Sequence, residues 1–224
     1  MIDAASIAGL AITPGFAPDF AIEHVRPVLA ALDYAGVAVF ALSGALAAAR
    51  HKQTIVTFAF FAGVTGIGGG TLRDLLIGAP VFWVHRSDYL GICLIAAAMV
   101  WLFRADRWKL SALLWFDAVG LAAYAVVGAA KAASYGVPPV AQVAMGVLSA
   151  SFGGIVRDLL AGEPSILLRR EIYVSAAALG ATVYVIAGLA GLPSFAAAGL
   201  GFVSGFGLRA AALHFDIALP GYRD

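Results

Sequence analysis

The chain has 224 residues, 62% of them hydrophobic and only 12% charged, with a mean hydropathy of +0.94. Soluble globular domains are about half apolar and about a quarter charged, so this composition belongs to membrane proteins; at about 20 residues per crossing, the length leaves no room for a soluble domain. The net charge of +1 gives no electrostatic footprint for nucleic acid or an acidic partner, and the single cysteine, Cys93, excludes an intrachain disulfide and a cysteine metal cluster.

Residues 1–27 read as an external leader that is retained. Ala4 to Ile12 is mildly apolar but has no basic n-region, and Pro14, Gly15 and Pro18 interrupt it before the polar run Asp19, Glu23, His24 and Arg26. Seven apolar stretches follow, at about 28–49, 54–78, 88–104, 110–132, 138–162, 171–190 and 194–213, each read as a membrane helix. With the N-terminus outside, Arg50, Lys52, Arg104, Arg107, Lys109, Arg169, Arg170, Arg209 and Arg223 flank the helices on the inner side, against Arg26, Arg86 and Lys131 outside. The positive-inside rule therefore gives a multi-pass protein of the cell (inner) membrane, N-terminus out and C-terminus in the cytoplasm. Trp83, Trp101, Trp108 and Trp115 fall near helix ends, where interfacial aromatics collect.

Shifting the sequence by 84 residues superimposes it on itself without a gap. Asp33 falls on Asp117, Gly36 on Gly120, Gly44 on Gly128, Gly69-Gly70 on Gly153-Gly154, and Arg73-Asp74-Leu75-Leu76 on Arg157-Asp158-Leu159-Leu160. Gly78, Pro80, Arg86 and Tyr89 then meet Gly162, Pro164, Arg170 and Tyr173. Each unit holds three helices, an odd number, so the second copy enters from the opposite face and the repeat is inverted. The expected fold is an all-α membrane protein of seven helices: a first repeat over 28–109, a second, inverted repeat over 110–193, and a seventh helix with a cytoplasmic tail over 194–224. Gly201-x-x-x-Gly205 on the seventh permits close helix contact, within the chain or between chains.

Ionisable side chains at membrane depth cost roughly 2.5–3.5 kcal/mol each on insertion scales, so those present face a partner or a polar interior. They are Asp33, Arg73, Asp74, Asp117, Arg157 and Asp158. At about 1.5 Å per residue, Asp33 and Arg73 both lie roughly 10 Å below the outer end, and the repeat places Asp117 and Arg157 similarly near the inner face. This predicts Asp33–Arg73 and Asp117–Arg157 contacts. The alternative is that each arginine reaches a lipid phosphate and each aspartate caps a turn.

Gly63, Gly66, Gly68, Gly69 and Gly70 crowd the second helix, and Gly153-Gly154 the fifth. Adjacent glycines lower helix propensity by about 1 kcal/mol each and leave carbonyls uncovered, which predicts a break lining a pathway; tight packing is the plainer alternative. Freed carbonyls can replace part of a cation's hydration shell. Gly66-x-Gly68-x-x-Thr71 lacks the third glycine and the strand–helix setting of a dinucleotide fingerprint. His24, His51, His85 and His214 are dispersed without metal-ligand spacing, and no Ser/His/Asp arrangement stands out. The expectation is no catalytic residue, no metal, no cofactor and no enzymatic activity.

Gly66-Ile67-Gly68-Gly69-Gly70-Thr71-Leu72-Arg73-Asp74 and its echo Phe152-Gly153-Gly154-Ile155-Val156-Arg157-Asp158 resemble the paired motifs of the prokaryotic trimeric intracellular cation (TRIC) channels, also catalogued as a glycine-transporter-type membrane domain. The resemblance runs from about Val28 to Leu213. It implies a homotrimer with one pore per subunit, permeable to monovalent cations and favouring K⁺, with membrane lipids as its surroundings and no nucleic-acid partner. It also implies that Gly68, Gly69, Gly70, Gly153 and Gly154 kink their helices near the constriction. The second motif of that family often begins with a small residue, where this chain has Phe152, whose ring would narrow the path or face lipid. A secondary transporter of a small solute such as glycine is the alternative function, because inverted halves with broken helices suit alternating access equally well.

Overall fold

The computed structural model describes residues 19–103 and 110–220, with side chains over 29–103 and 111–220. Most of the leader, the side chains of Glu23, His24 and Arg26, and the residues Arg104, Arg107, Trp108, Lys109 and Arg223 lie outside the described residues. Seven helices follow one another: α1 (Asp19–Arg50), α2 (Ile55–Leu76), α3 (Asp88–Leu102), α4 (Leu110–Ser134), α5 (Pro139–Leu160), α6 (Val174–Leu189) and α7 (Ser194–Phe215). A 3₁₀ turn over Ile166–Leu168 precedes α6. Among the described residues, the β pairing is a single bridge between Glu171 and Ala218.

The helices match the expected spans to within a few residues, with one exception. Residues 19–27, expected in the leader, are helical and continue into α1. Hydropathy marks where apolar character begins, at about residue 28, but not where the backbone starts to hydrogen-bond as a helix. From Leu29 on, α1 joins α2, α4, α5 and α7 as helices long and apolar enough to cross a bilayer. Helices α3 and α6, with 15 and 16 residues, rise only about 23 and 24 Å against about 30 Å of hydrocarbon. They are repeat counterparts, and each follows a loop that folds back after α2 or α5.

Both loops start in the same way. Gly78 and Gly162 take φ +67° and +68°, a left-handed conformation that glycine adopts without a Cβ penalty. The amides that follow turn back onto the last helical turn, Ala79 N–H to the Asp74 carbonyl at 2.8 Å and Glu163 N–H to the Asp158 carbonyl at 3.0 Å. This closes helix carbonyls that would otherwise be unsatisfied in an apolar medium.

Helix α4 is the centre of the bundle. Its apolar window is 72% buried, against 33–44% for the other four, and it packs on α1, α5, α6 and α7. The pseudo-two-fold axis passes where residues touch their own repeat counterparts. On α1 and α4, Phe40 and Tyr124 meet edge to face with centroids 5.6 Å apart; Tyr124 lies over Gly36 and Phe40 over Gly120.

The expected break at the glycines is absent. Helix α2 is continuous through Gly68-Gly69-Gly70, and α5 through Gly153-Gly154. An unpaired backbone group in hydrocarbon costs several kcal/mol, more than the roughly 1 kcal/mol propensity loss of a glycine, so the helix persists. The glycines instead bring the two helices together. A Cβ on Gly69 would stand 2.1 Å from the Ser149 carbonyl oxygen, and one on Gly153 would stand 2.4 Å from that of Thr65. Since Thr65 and Ser149 are also counterparts, this crossing makes the same contact twice. Helix α7 packs likewise within the chain: Gly201 closes on the Gly180 carbonyl and Gly205 on that of Ala176.

Candidate functional site: two buried charge clusters

At the end of α2, Arg73 and Asp74 are withdrawn from solvent. Neighbouring helical residues point about 100° apart, so the long arginine curls back: its Nε and Nη2 donate to Asp74 Oδ1 at 2.9 and 2.7 Å. Asp74 Oδ2 accepts from the Phe82 amide at 3.0 Å, which pins the returning loop. The end of α5 repeats this almost atom for atom. Arg157 Nε and Nη2 donate to Asp158 Oδ1 at 2.9 and 2.8 Å, and the Ile166 amide donates to Asp158 Oδ2 at 2.9 Å. The sequence marked all four residues, but not that adjacent Arg and Asp would pair with each other.

The two expected inter-helix pairs have different outcomes. Arg157 Nη1 lies 2.5 Å from Asp117 Oδ1, joining α5 to α4, and it also donates to Ser43 Oγ on α1. Asp33 and Arg73 form no ion pair. Asp33 Oδ2 instead accepts from the Tyr89 hydroxyl at 2.5 Å, while Asp33 Oδ1 and Arg73 Nη1 are buried without a hydrogen-bond partner among the described residues. The cause lies in three substitutions between repeats. The counterpart of Ser43 is Val127, so the opposite repeat offers Arg73 no hydroxyl. The counterpart of Ile166 is Phe82, whose ring centroid is 6.0 Å from the Arg73 guanidinium. The counterpart of Ala47 is Lys131, whose Nζ lies 2.8 Å from Asp74 Oδ2 and 5.7 Å from the Phe82 centroid.

Each cluster has a polar rim that the sequence reading did not identify. At the first, Tyr34 and Tyr89 stack with centroids 4.7 Å apart, and the Arg86 guanidinium sits 5.2 and 5.4 Å from the two rings. Arg86 and Asp88 pair at 3.2 Å, and both bond to the Tyr34 hydroxyl. At the second, Glu163 gathers Arg50, His51 and Arg169 at 3.5, 3.6 and 3.8 Å, beside a cavity of about 20 Å³ that reaches Arg157 and Asp158. Arg209, expected to flank α7, lies within it and is 1% exposed, paired to Glu171 at 2.5 Å.

Phe152 stands apart from both clusters. With Phe60, Gly63, Gly68 and Trp83 it lines an open apolar groove of about 560 Å³ along α2. Among the described residues there is no grouping of three or more His, Cys, Asp or Glu side chains able to hold a metal. Buried hydroxyls lie on the same helices: Ser43 accepts from Arg157, Ser149 and Ser151 donate back to the Met145 and Val147 carbonyls, and Thr65 is buried on α2. The arrangement is a buried polar seam on α1, α2, α4 and α5 with fixed charges near both ends, Arg73 and Lys131 on Asp74 at one and Arg157 between Asp117 and Asp158 at the other. Asp33 is the carboxylate left without a cationic partner among the described residues.

Comparison with known proteins agrees with this duplication. A family model described as glycine transporter matches the chain twice, at residues 30–105 and 114–189, the same offset of 84. A UPF0126 membrane protein of Vibrio cholerae is 38% identical over 192 residues, covering 84% of this chain and 80% of its own. The UPF0126 inner membrane protein YadS of Escherichia coli is 35% identical over 196 residues, covering 84% and 93%. Among solved structures, the TRIC trimeric intracellular cation channel orthologue from Rhodobacter sphaeroides superimposes with a TM-score of 0.81 at 45% identity, over 85% of this chain and 99% of that one. A second TRIC cation channel gives 0.78 at 30% identity, over 86% and 96%.

Proposed function

The chain belongs to the glycine-transporter family of membrane proteins, which includes the prokaryotic TRIC channels, and from that premise we propose that it is a K⁺-permeable cation channel rather than an enzyme. The observation that carries the reading is the polar seam with its unneutralised Asp33. A cation entering the seam meets Asp33, which is held by the Tyr89 hydroxyl and has no ion-pair partner among the described residues, then buried hydroxyls, and at the far end two carboxylates, Asp117 and Asp158, that share the single Arg157. The likeness to the two TRIC cation channels supports the same conclusion.

In this reading each subunit conducts through its own seam, three subunits assemble in the inner membrane with N-termini outside, and the constriction lies where Gly69 and Gly153 close the α2–α5 crossing. Gly68, Gly70 and Gly154 shape that region, and conduction requires the crossing to loosen. Lys131 is the residue that most opposes a cation at the first-repeat end, because its ammonium adds a second positive charge beside Arg73 on the one carboxylate Asp74.

One observation favours the second reading, a coupled transporter. An acidic group at membrane depth without a cationic partner is also what a proton- or sodium-coupled carrier needs. Purified protein in a planar bilayer separates the two. Unitary currents whose reversal potential follows the K⁺ gradient are expected; saturable glycine counterflow without such currents overturns the channel.

A further inference from the structure

The seventh helix has no counterpart in the repeat, yet it supplies one of the most buried charges in the molecule. Arg209 Nη2 donates to Glu171 Oε2 at 2.5 Å and its Nη1 donates to the Ile172 carbonyl at 3.3 Å. Its guanidinium carbon lies 5.2 Å from the centroid of Tyr173. Tyr173 is itself 1% exposed, and its hydroxyl lies against Gly154: a Cβ there would be 2.8 Å from the Tyr173 oxygen and 3.4 Å from Asp117 Oδ1. A chain of contacts therefore runs from α7 through Tyr173 to the Asp117–Arg157 pair.

The first repeat shows what is distinctive about this. There the equivalent tyrosine, Tyr89, is capped by Arg86 from the loop of its own repeat, and its hydroxyl is held by Asp33. In the second repeat a cation over the tyrosine comes from the added helix, and the Tyr173 hydroxyl has no hydrogen-bond partner among the described residues. The ring is covered on its face by Arg209, and its hydroxyl lies beside Asp117 at Gly154. Beyond α7 the chain reinforces the same loop. Asp216 turns at φ +52°, Ala218 bridges Glu171, and the Leu219 amide donates to the Arg170 carbonyl at 2.8 Å.

We propose that Arg209 is a positioning residue through which α7 and the strap after it hold Tyr173 against Gly154 and Asp117, keeping the second-repeat end of the conduction path shut. The proposal rests on the channel reading above. The fork of Arg209 suits this role because it satisfies a carboxylate and a carbonyl while its flat face covers a ring. Release of the clamp uncovers the ring face and leaves Tyr173 positioned only by its hydroxyl's approach to Asp117.

The test uses Arg209→Glu, Glu171→Arg and the double charge swap, with Arg209→Lys and Leu219→Pro as milder variants. Leu219→Pro removes the amide donor of the strap and restricts the backbone at Ala218 and residue 219. Two readouts are taken on the full-length protein: open probability in planar bilayers with KCl, and amide hydrogen exchange over residues 170–177 in detergent. Each single charge reversal is expected to raise open probability roughly fivefold or more and to speed exchange about tenfold. The swap should return both towards wild type, and the milder variants should fall between. Open probability at or below wild type in the conducting single variants, or a swap that fails to restore either readout, overturns the clamp. If the reversals do not fold, Arg209→Lys and Leu219→Pro decide it: wild-type values in both readouts refute it. A wild-type protein that carries no unitary current removes the channel reading; the exchange data then stand alone, and unchanged exchange in the single variants rejects the clamp.

Discussion

Arg157 and Asp117 meet at 2.5 Å with both side chains withdrawn from solvent, whereas their counterparts Arg73 and Asp33 form no such pair. The same sequence motif, placed twice in one fold, thus holds two electrostatic states: one arginine between two aspartates at one end, an arginine and a lysine on one aspartate at the other, with Asp33 held by a tyrosine instead.

The closed pair should behave as a unit. Removing one partner of a buried ion pair costs about 3–5 kcal/mol; Arg157 keeps Asp158, so Asp117→Asn should fall at or below the lower end. Asp117→Asn and Arg157→Gln, alone and together, should show a coupling of about 1 kcal/mol or more in thermal unfolding in detergent. The same cycle on Asp33 and Arg73 should give a smaller coupling.

The glycines of α2 should separate by face. Gly69→Ala places a methyl group 2.1 Å from the Ser149 carbonyl oxygen, so the helices must part, and the expected loss is about 1–3 kcal/mol. Gly153→Ala should match it. Gly63→Ala meets nothing within 4 Å and should be neutral or stabilising by up to about 1 kcal/mol. Melting temperatures of the three variants test this. A common loss would mean that flexibility, not contact, is what the glycines provide.

Lys131→Gln removes an ammonium from a path proposed to carry cations, and leaves Asp74 with Arg73 and the Phe82 amide. Single-channel recording should show K⁺ conductance or open probability raised about twofold or more. The gain over wild type should be largest at low ionic strength, where the fixed charge is least screened.

Asp33→Asn keeps an oxygen to accept from Tyr89 and removes the charge. In a KCl gradient its reversal potential should move towards zero, reporting weaker preference for cation over anion. Were the protein a coupled carrier, the same variant would instead abolish uphill solute accumulation.

Much of this architecture was legible in the sequence. The helix spans came from hydropathy, and the inverted repeat came from identities at a constant offset. Depth arithmetic then found Asp117–Arg157. It failed for Asp33–Arg73 because depth fixes only one coordinate, and the partner choice depends on residues that differ between repeats: Val127 for Ser43, Phe82 for Ile166, Lys131 for Ala47. The contact of Lys131 with Asp74 breaks the repeat, so no argument from symmetry reaches it. Arg209 was misplaced because an arginine late in an apolar helix reads as an end marker unless Glu171 is known to lie beside it. The glycines do not interrupt either helix, since propensity measured in water understates how strongly hydrocarbon enforces the helix.

The doubled contact at the α2–α5 crossing, Gly69 on Ser149 and Gly153 on Thr65, is self-complementary in the sense that a symmetric dimer interface requires. A half-length chain inserting in both orientations would have made both contacts with a second copy of itself. Once two such halves share one polypeptide, that constraint is lifted, and each can change without changing the other. Lysine for alanine, valine for serine and phenylalanine for isoleucine are then marks of divergence between ends that came to face different compartments, and the unpaired α7, with its arginine, is a part that only one of those ends acquired.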